Sequence, residues 1–215
     1  MMTTSINQHV WHLIQGDLAI QKDLARKTIN MRALAKYLIK KHHLGYSLDS
    51  VISAIRRFQS RETFEEEEQS LLRIFKDAHI TTENNVAVIT LGISASEFHQ
   101  RYCRTDRPNN HSMKILTATR GVKLIIDQRE LEGMKRLFAK EEISATETDL
   151  SELSVIVNEK AAQTKGVIAR LASELALSNI NIHELIVAMP EFLIYVKHKD
   201  LVKAHDSLLK LSKNA

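Results

Sequence analysis

Residues of the types that perform catalysis or bind metals occur in this sequence, but their spacing forms no known catalytic motif. There is no G-x-G-x-x-G, G-x-x-x-x-G-K, H-E-x-x-H or nucleophile-elbow pattern. His99 and Cys103 stand four residues apart on a predicted helix and could contact one metal ion, yet two ligands fall short of the usual four. We therefore expect no catalytic residue, no metal site and no cofactor, and the chain is predicted not to be an enzyme.

Basic side chains of the N-terminal region form a second group of candidates. Residues 1–60 carry nine Lys or Arg against three Asp or Glu. Such a cationic surface can contact the phosphates of DNA around a helix-turn-helix. The candidate DNA-binding residues are Arg32, Lys36, Lys40, Lys41, Arg56, Arg57 and Arg61. The alternative is a helical docking domain with a solvated basic face, and the spacing of the residues leaves both interpretations open.

Two predicted helices carry most of these basic residues. MRALAKYLIKKH, from Met31, and SLDSVISAIRRF, from Ser47, both repeat apolar residues at helical spacing. Gly45 suits the left-handed end of the first helix, and Ser47 can cap the second. The acidic segment RETFEEEEQSLLRIFKDAHI, from Arg61, predicts a connecting helix. Residues 1–80 are therefore predicted to form an all-α domain.

The composition indicates a water-soluble protein with a hydrophobic core. Hydrophobic residues make up 44% of the chain and charged residues 26%. Cys103 is the single cysteine, so no intramolecular disulfide can form, which is typical of the cytoplasm. No run approaches the roughly 20 apolar residues of a membrane span, and the N-terminus lacks the pattern of a signal peptide.

The second half of the sequence contains a repeat at an offset of 70 residues. ILTATRGVKLIIDQRELEGMKRLF, from Ile115, matches LIVAMPEFLIYVKHKDLVKAHDSL, from Leu185, in the position of its apolar residues. Each segment reads as strand, two-residue turn, strand and helix, with the turns at 120–121 and 190–191. The repeat therefore predicts two copies of one α/β unit.

A further strand and helix precede each repeated segment. They are VAVITLGI and ASEFHQRYC in the first copy, and LSVIVN and GVIARLASELALS in the second. Residues 143–148 are predicted to be a strand that closes the first copy, whereas no strand pattern follows the last helix of the second. The unit is thus βαββαβ, an antiparallel sheet covered on one face by two helices. The predicted fold class is α+β, with modules at 84–150 and 151–215 after the helical domain.

The stretch from Gln163 to Leu211 resembles an ACT domain, particularly those in the regulatory region of aspartate kinases and in phosphoglycerate dehydrogenase. The resemblance is carried by Gly166-Val167 at the start of a helix, by the Asn179-Ile180-Asn181-Ile182 turn, and by the strand-turn-strand segment before Asp200. It implies a tandem pair of ferredoxin-like ACT modules. The kinase domain that accompanies such pairs in aspartate kinases is absent.

In the ACT family the loop before the first helix and the Asn-Ile turn bind an amino acid, commonly where two modules meet edge to edge. The resemblance therefore implies a ligand site at Gln163, Thr164, Lys165, Gly166, Val167, Asn181 and Ile182. Gly166 allows backbone N–H groups to approach a carboxylate at a helix N-terminus, where unpaired amides favour negative charge. Asn181 is predicted to bind the polar end of the same amino acid. The other interpretation is a structural ACT pair that binds no ligand.

These observations predict a cytoplasmic, homodimeric regulator that is controlled by an amino acid. Short strands at 153–158 and 192–197 predict exposed sheet edges, and pairing them across a dimer removes that liability. The ACT modules would sense the effector and the helical domain would transmit the response, as a DNA-binding transcription regulator in one hypothesis. In the competing hypothesis the chain is a subunit that modulates a biosynthetic enzyme and never contacts DNA. Neither hypothesis involves a membrane.

Overall fold

The computed structural model describes residues 5–58, 64–102 and 113–213. The chain forms two compact units, residues 1–68 and residues 69–215. Arg61 of the candidate DNA-binding set and Cys103 of the candidate metal pair lie outside the described residues.

The first unit is helical, as predicted. Its helices are α1 (Ile6–Gln15), α2 (Leu18–Ala25), α3 (Met31–His42) and α4 (Leu48–Arg56). Helix α5 (Phe64–Phe75) begins in this unit and ends in the second, at the position predicted for the acidic connecting helix. Whether α3 and α4 act as a helix-turn-helix stays a prediction.

Side-chain caps set the starts of α3 and α4. The Asn30 side chain accepts hydrogen bonds from the N–H groups of Arg32 and Ala33, each at 3.0 Å. Ser47 caps α4 as predicted, since its hydroxyl accepts a hydrogen bond from the Ser50 N–H at 3.3 Å. Caps of this kind satisfy amides that have no partner within the helix.

The end of α3 differs from the prediction. His43, with φ 50°, is the left-handed residue, whereas Gly45 does not have positive φ. The N–H of Leu44 donates to the Ile39 carbonyl at 3.1 Å, and the Leu44 side chain is buried in the core of the unit. Because Leu44 must enter the core directly after the helix, the left-handed residue lies two positions earlier than the predicted glycine.

The second unit is built on one six-stranded antiparallel sheet in the order β2-β3-β1-β4-β6-β5. The strands are β1 (His79–Leu91), β2 (Lys114–Ala118), β3 (Gly121–Asp127), β4 (Ile143–Ile156), β5 (Glu184–Ala188) and β6 (Glu191–Lys197). The helices are α6 (Ala95–Tyr102), α7 (Leu131–Lys135), α8 (Val167–Leu177) and α9 (Leu201–Lys213). The mixed, antiparallel α+β character that was predicted is confirmed.

Two long central strands join what the sequence presents as separate copies. The strand predicted at 143–148 and most of the strand predicted at 153–158 belong to one 14-residue strand, β4, which ends at Ile156. Strand β1 starts at His79, before the predicted module boundary, and residues 79–83 pair with residues 152–156 of β4. This pairing supplies the fourth strand that the second copy lacks in sequence. The predicted limits of 84–150 and 151–215 therefore cut through shared strands.

Each half of the sheet repeats the same strand order. The first half-sheet consists of residues 86–91 of β1, residues 143–150 of β4, β2 and β3. The second half-sheet consists of residues 79–83, residues 151–156, β5 and β6. The two-residue turns lie at 119–120 and 189–190, one residue before their predicted positions.

The sheet edges are also not where the sequence suggested. Residues 153–158 and 192–197 belong largely to β4 and β6, which are paired on both sides. The edges are β2 and β5, each paired on one side within the described chain.

The long strands are bulged near their midpoints. Asn85 and Asp149 adopt left-handed φ values of 58° and 57°, at shifts in the β1–β4 register. Bulges bend a strand and increase its twist. The two half-sheets consequently turn toward each other, and Lys114 on the β2 edge comes within 2.6 Å of Glu152 on β4.

Three apolar clusters hold the second unit together. Helices α6 and α7 pack on the outer face of the first half-sheet through residues such as Phe98 and Leu131. Helices α8 and α9 cover the second half-sheet through residues such as Leu171 and Leu208. The inner faces of the half-sheets bury a third cluster, made of Val86, Val88, Ile125, Leu150, Leu193 and Tyr195.

A buried carboxylate lies within this inner layer. Glu152 is 5% exposed and accepts hydrogen bonds from the Tyr195 hydroxyl and from Lys114. Burial, together with the hydrogen bond to Glu152, raises the pKa of Tyr195. The Tyr195 hydroxyl therefore stays protonated and remains a donor to Glu152.

Candidate functional site

The loop before α8 is held by its own local hydrogen bonds. After β4 the chain makes a short 3-10 turn, Glu159–Gln163, whose start is capped by the Asn158 side chain. The Thr164 hydroxyl donates to the Lys160 carbonyl at 2.8 Å. Gln163 and Lys165 are exposed. Five of the predicted site residues, Gln163, Thr164, Lys165, Gly166 and Val167, are therefore contiguous at the start of α8.

Gly166 opens α8 in the way the sequence suggested. Its φ of 85° is in the left-handed region, which glycine occupies without steric cost. The first helical hydrogen bond runs from Arg170 N–H to the Gly166 carbonyl at 2.8 Å, and no side chain caps this terminus. Val167 is buried and anchors the turn in the core. The amides of the first turn can thus receive a small anion.

The start of α6, the corresponding helix of the first half-sheet, is built differently. There the Ser94 hydroxyl accepts a hydrogen bond from the Glu97 N–H at 3.1 Å. Gly92, directly after β1, donates its N–H to the carbonyl of Glu142, directly before β4, at 2.8 Å. A side chain already occupies this helix start, so of these two helices α8 is the one whose start favours an anion.

The Asn-Ile turn lies at the other end of α8. Asn179 ends the helix with φ 55°, and the Ile180 N–H returns to the Leu175 carbonyl at 3.0 Å. Ile180 is buried, Asn181 is exposed, and Ile182 is partly buried against the core of the second half-sheet. Asn181 therefore presents its side chain at the surface.

The two parts of the predicted site do not meet within one copy of the chain. Helix α8 has 11 residues, which at 1.5 Å per residue separates its ends by about 16 Å. The strands give the same result, since Ile156 pairs with Glu191 at one end of β6 whereas Glu184 pairs with Tyr195 toward the other. A single amino acid cannot touch both Gly166 and Asn181 of the same copy. The predicted site stays a prediction, and its two parts can serve one ligand only if they come from two copies.

Two residues that follow the Asn-Ile turn were not among the predicted site residues. His183 Nδ1 lies 3.1 Å from Glu147 Oε2, and its backbone N–H donates to the Tyr195 carbonyl at 2.8 Å. Glu184 forms an ion pair with Lys123 on β3. Both contacts cross from the second half-sheet to the first. No local sequence pattern indicates these contacts, because their partners are 36 and 61 residues away in the chain.

The predicted DNA-binding residues that the structure describes are all exposed. Arg32, Lys36 and Lys40 follow one another at intervals of four along α3, and Arg56 and Arg57 lie at the end of α4. Each of these five side chains lacks an ion pair with any described residue. In contrast, Lys22 on α2 pairs with Glu67, and Arg26 at the end of that helix pairs with Glu68. The pKa of Lys41 is raised by its hydrogen bond to the Tyr37 hydroxyl, at 2.7 Å. The first unit thus carries unpaired positive charge on α3 and α4.

Within the described residues, no three His, Cys, Asp or Glu side chains are placed to hold a metal ion together. Among the described helices, none combines the length and the apolar content that crossing a membrane would require.

Comparison with known protein families and with curated proteins found no match by sequence. Comparison with solved structures found aspartate kinases. The kinase of Clostridium acetobutylicum superimposes with a TM-score of 0.51 at 15% identity, over 63% of this chain and 34% of that one. An aspartokinase alpha and beta subunit structure gives 0.50 at 14% identity, over 61% and 95%. The regulatory subunit of the Thermus thermophilus enzyme gives 0.48 at 13% identity, over 61% and 95%.

The similarity at TM-scores of 0.50 and 0.51 shows a shared fold. The match spans about a third of the length of the Clostridium acetobutylicum enzyme. The second unit therefore has the architecture found in aspartate kinases.

Proposed function

We propose that this chain is a non-enzymatic regulatory protein whose second unit is a tandem ACT region that binds an amino acid. The observation that carries the proposal is Gly166, whose left-handed φ of 85° opens α8 without a side-chain cap. Unpaired amides at a helix N-terminus bind a carboxylate favourably. The shared fold and the resemblance of residues 163–182 to ACT effector sites support the same interpretation.

The proposed site is assembled from two copies of the chain. In an antiparallel pair of β5 edge strands, the start of one strand lies beside the end of the other. Asn181 precedes the start of β5, and the end of β5 lies level with Ile156, from which the chain continues to Gly166. Pairing of β5 edges across a homodimer would therefore bring Asn181 of one copy toward Gly166 of the second. This homodimer, predicted from the sequence, remains part of the proposal.

Calorimetry against the twenty protein amino acids tests this site. We expect one of them to bind the unmodified protein, and Asn181→Ala to weaken that binding by about 1–3 kcal/mol, because a polar group of the amino acid loses its partner. Gly166→Val should abolish binding, since valine adds bulk beside the amides and resists left-handed φ. Gly45→Val is the matched control, because a side chain there meets open space.

A mixture of the two variants separates the alternatives for the geometry. If each site uses Gly166 from one copy and Asn181 from the other, a heterodimer of Gly166→Val and Asn181→Ala chains contains one intact site. The mixture should then bind the amino acid that neither variant binds normally. Absence of recovery in a proven heterodimer contradicts the two-copy site, and absence of any amino-acid binding in the unmodified protein contradicts the proposed function.

DNA binding is the second candidate function, favoured by the exposed and unpaired cations on α3 and α4. In that function the amino-acid signal would regulate transcription through the first unit. The competing class, a subunit that modulates a biosynthetic enzyme, requires no phosphate contacts.

Replacement of Arg56 and Arg57 by Ala tests the DNA-binding function. We expect weaker binding to generic duplex DNA and a shallower dependence on salt, because each phosphate contact releases a counterion. The control is Lys22→Ala with Arg26→Ala, which removes equal charge from side chains already paired with Glu67 and Glu68. If the unmodified protein shows no DNA affinity at low salt, the first unit belongs to the docking class.

A further inference from the structure

Two polar side-chain contacts, one of them an ion pair, leave the second half-sheet immediately after the Asn181 turn and end in the first half-sheet. His183 contacts Glu147 of β4 at 3.1 Å, and Glu184 pairs with Lys123 of β3. Asn181, His183 and Glu184 are separated by no more than three positions in the chain. A movement of the Asn181 turn would therefore also move His183 and Glu184 relative to Glu147 and Lys123.

The partner residues of both contacts lie on neighbouring strands of the first half-sheet, so such a movement would reach its centre. Glu147 pairs with Val88 of β1, and Lys123 pairs with Thr90 of the same strand. Both partners thus lie on strands that flank residues 86–91 of β1. This half-sheet has a side chain at its own helix start, on Ser94, in place of an anion site.

The side chains that form both contacts are partly shielded from solvent. The side chains of His183 and Glu184 are each 21% exposed, and those of Glu147 and Lys123 are 38% and 36% exposed. The partly buried ion pair of Lys123 and Glu184 is screened by salt less than a surface pair would be. Both contacts differ from the pair of Arg170 and Glu174, which lies within the single helix α8.

The geometry points to His183 and Glu184 as coupling residues that transmit occupancy of the Asn181 turn to the first half-sheet through Glu147 and Lys123. The inference rests on the proposed amino-acid site. It assigns different tasks to the two half-sheets: the second contains the sensing turn, and the first changes its stability in response. Neither coupling residue needs to touch the amino acid.

Hydrogen exchange of backbone amides, followed segment by segment, tests this coupling. In the unmodified protein, addition of the amino acid that binds should slow exchange in β3 and in residues 143–150 about fivefold or more, the size of a modest allosteric coupling. The variant with His183→Gln and Glu184→Gln should still bind that amino acid, and exchange in the first half-sheet should no longer respond. Glu174→Gln is the control, and it should respond like the unmodified protein.

Measurement of the free proteins separates this inference from the proposed function. Without any amino acid, the His183→Gln, Glu184→Gln variant should already exchange faster in β3 than Glu174→Gln does. Equal exchange in the two free variants overturns the coupling contacts, whatever binds at the turn. An unchanged response in the double variant overturns the transmission while leaving the binding site intact. Failure of all twenty amino acids to bind overturns the proposed function and the signalling role together.

Discussion

Gly121→Ala should destabilise the second unit by about 3 kcal/mol or more, because this change combines a backbone clash with conformational strain. A Cβ at Gly121 would lie 2.1 Å from the Leu91 carbonyl oxygen and 3.2 Å from its carbon. Both atoms belong to the backbone of β1, which is fixed by pairing with β3 and β4. The φ of 151° adds a conformation that side chains rarely adopt. Neither cost is relieved by rotation of a side chain.

The free energy of unfolding of this unit can be measured by native-state hydrogen exchange in β1 and β3. Trp11, the single tryptophan, lies in the first unit and would report on that unit instead. Gly133→Ala on α7 is the matched control, since an added Cβ there meets nothing within 4 Å. Alanine should stabilise this helical position by up to about 1 kcal/mol. Equal effects of the two substitutions would contradict the clash.

Lys114→Met should also cost about 3 kcal/mol, because it leaves the Glu152 carboxylate buried without its cation. Lys114 Nζ lies 2.6 Å from Glu152 Oε2, and the Glu152 side chain is 7% exposed. Lys135→Met is a close control: Lys135 is as exposed as Lys114, but its partner Glu132 is 75% exposed. Loss of such a surface pair should cost less than about 1 kcal/mol.

A second substitution identifies the cause of the loss at Lys114. Adding Glu152→Gln removes the buried charge and keeps an acceptor for the Tyr195 hydroxyl. The double variant should therefore recover most of the stability lost in Lys114→Met, since neutral groups cost less to bury than an unpaired ion. A double variant that is less stable than Lys114→Met would show that the packing of the lysine stem matters more than its charge.

Local patterns in the sequence predict the helices well because local contacts determine them. The α3 segment, from Met31 to His42, coincides with the run predicted from apolar periodicity, and Ser47 is the cap of α4. The end of α3 could not be predicted in this way, because His43 and not Gly45 takes the left-handed conformation, which allows Leu44 to be buried. That choice depends on the core of the unit, which no local pattern describes.

The arrangement of the strands could be predicted only in part. Alternating apolar residues indicate where β1 and β4 exist, but not that each strand continues through a bulge at Asn85 or Asp149 into a second set of partners. Register between strands that are about 70 residues apart is determined by tertiary packing. The separation of Gly166 from Asn181, in contrast, follows from the predicted length of α8 alone. The resemblance gave the residue types of the site but not the copy of the chain that supplies each one, so it did not show that one ligand would need Gly166 and Asn181 from two copies.

The sharing of β1 makes the second half-sheet discontinuous along the chain. During synthesis, residues 79–83 precede their β4 partners at 152–156 by about 70 positions, and a complete first half-sheet is made in the interval. Until its partner strand has been synthesised, such a segment has unpaired backbone N–H and C=O groups that can pair with other chains. This segment is polar at four of its five positions, with Ile80 as the exception, so it has little tendency to aggregate while it waits. In the sequence, the first half-sheet is thus inserted between two strand segments of the second half-sheet.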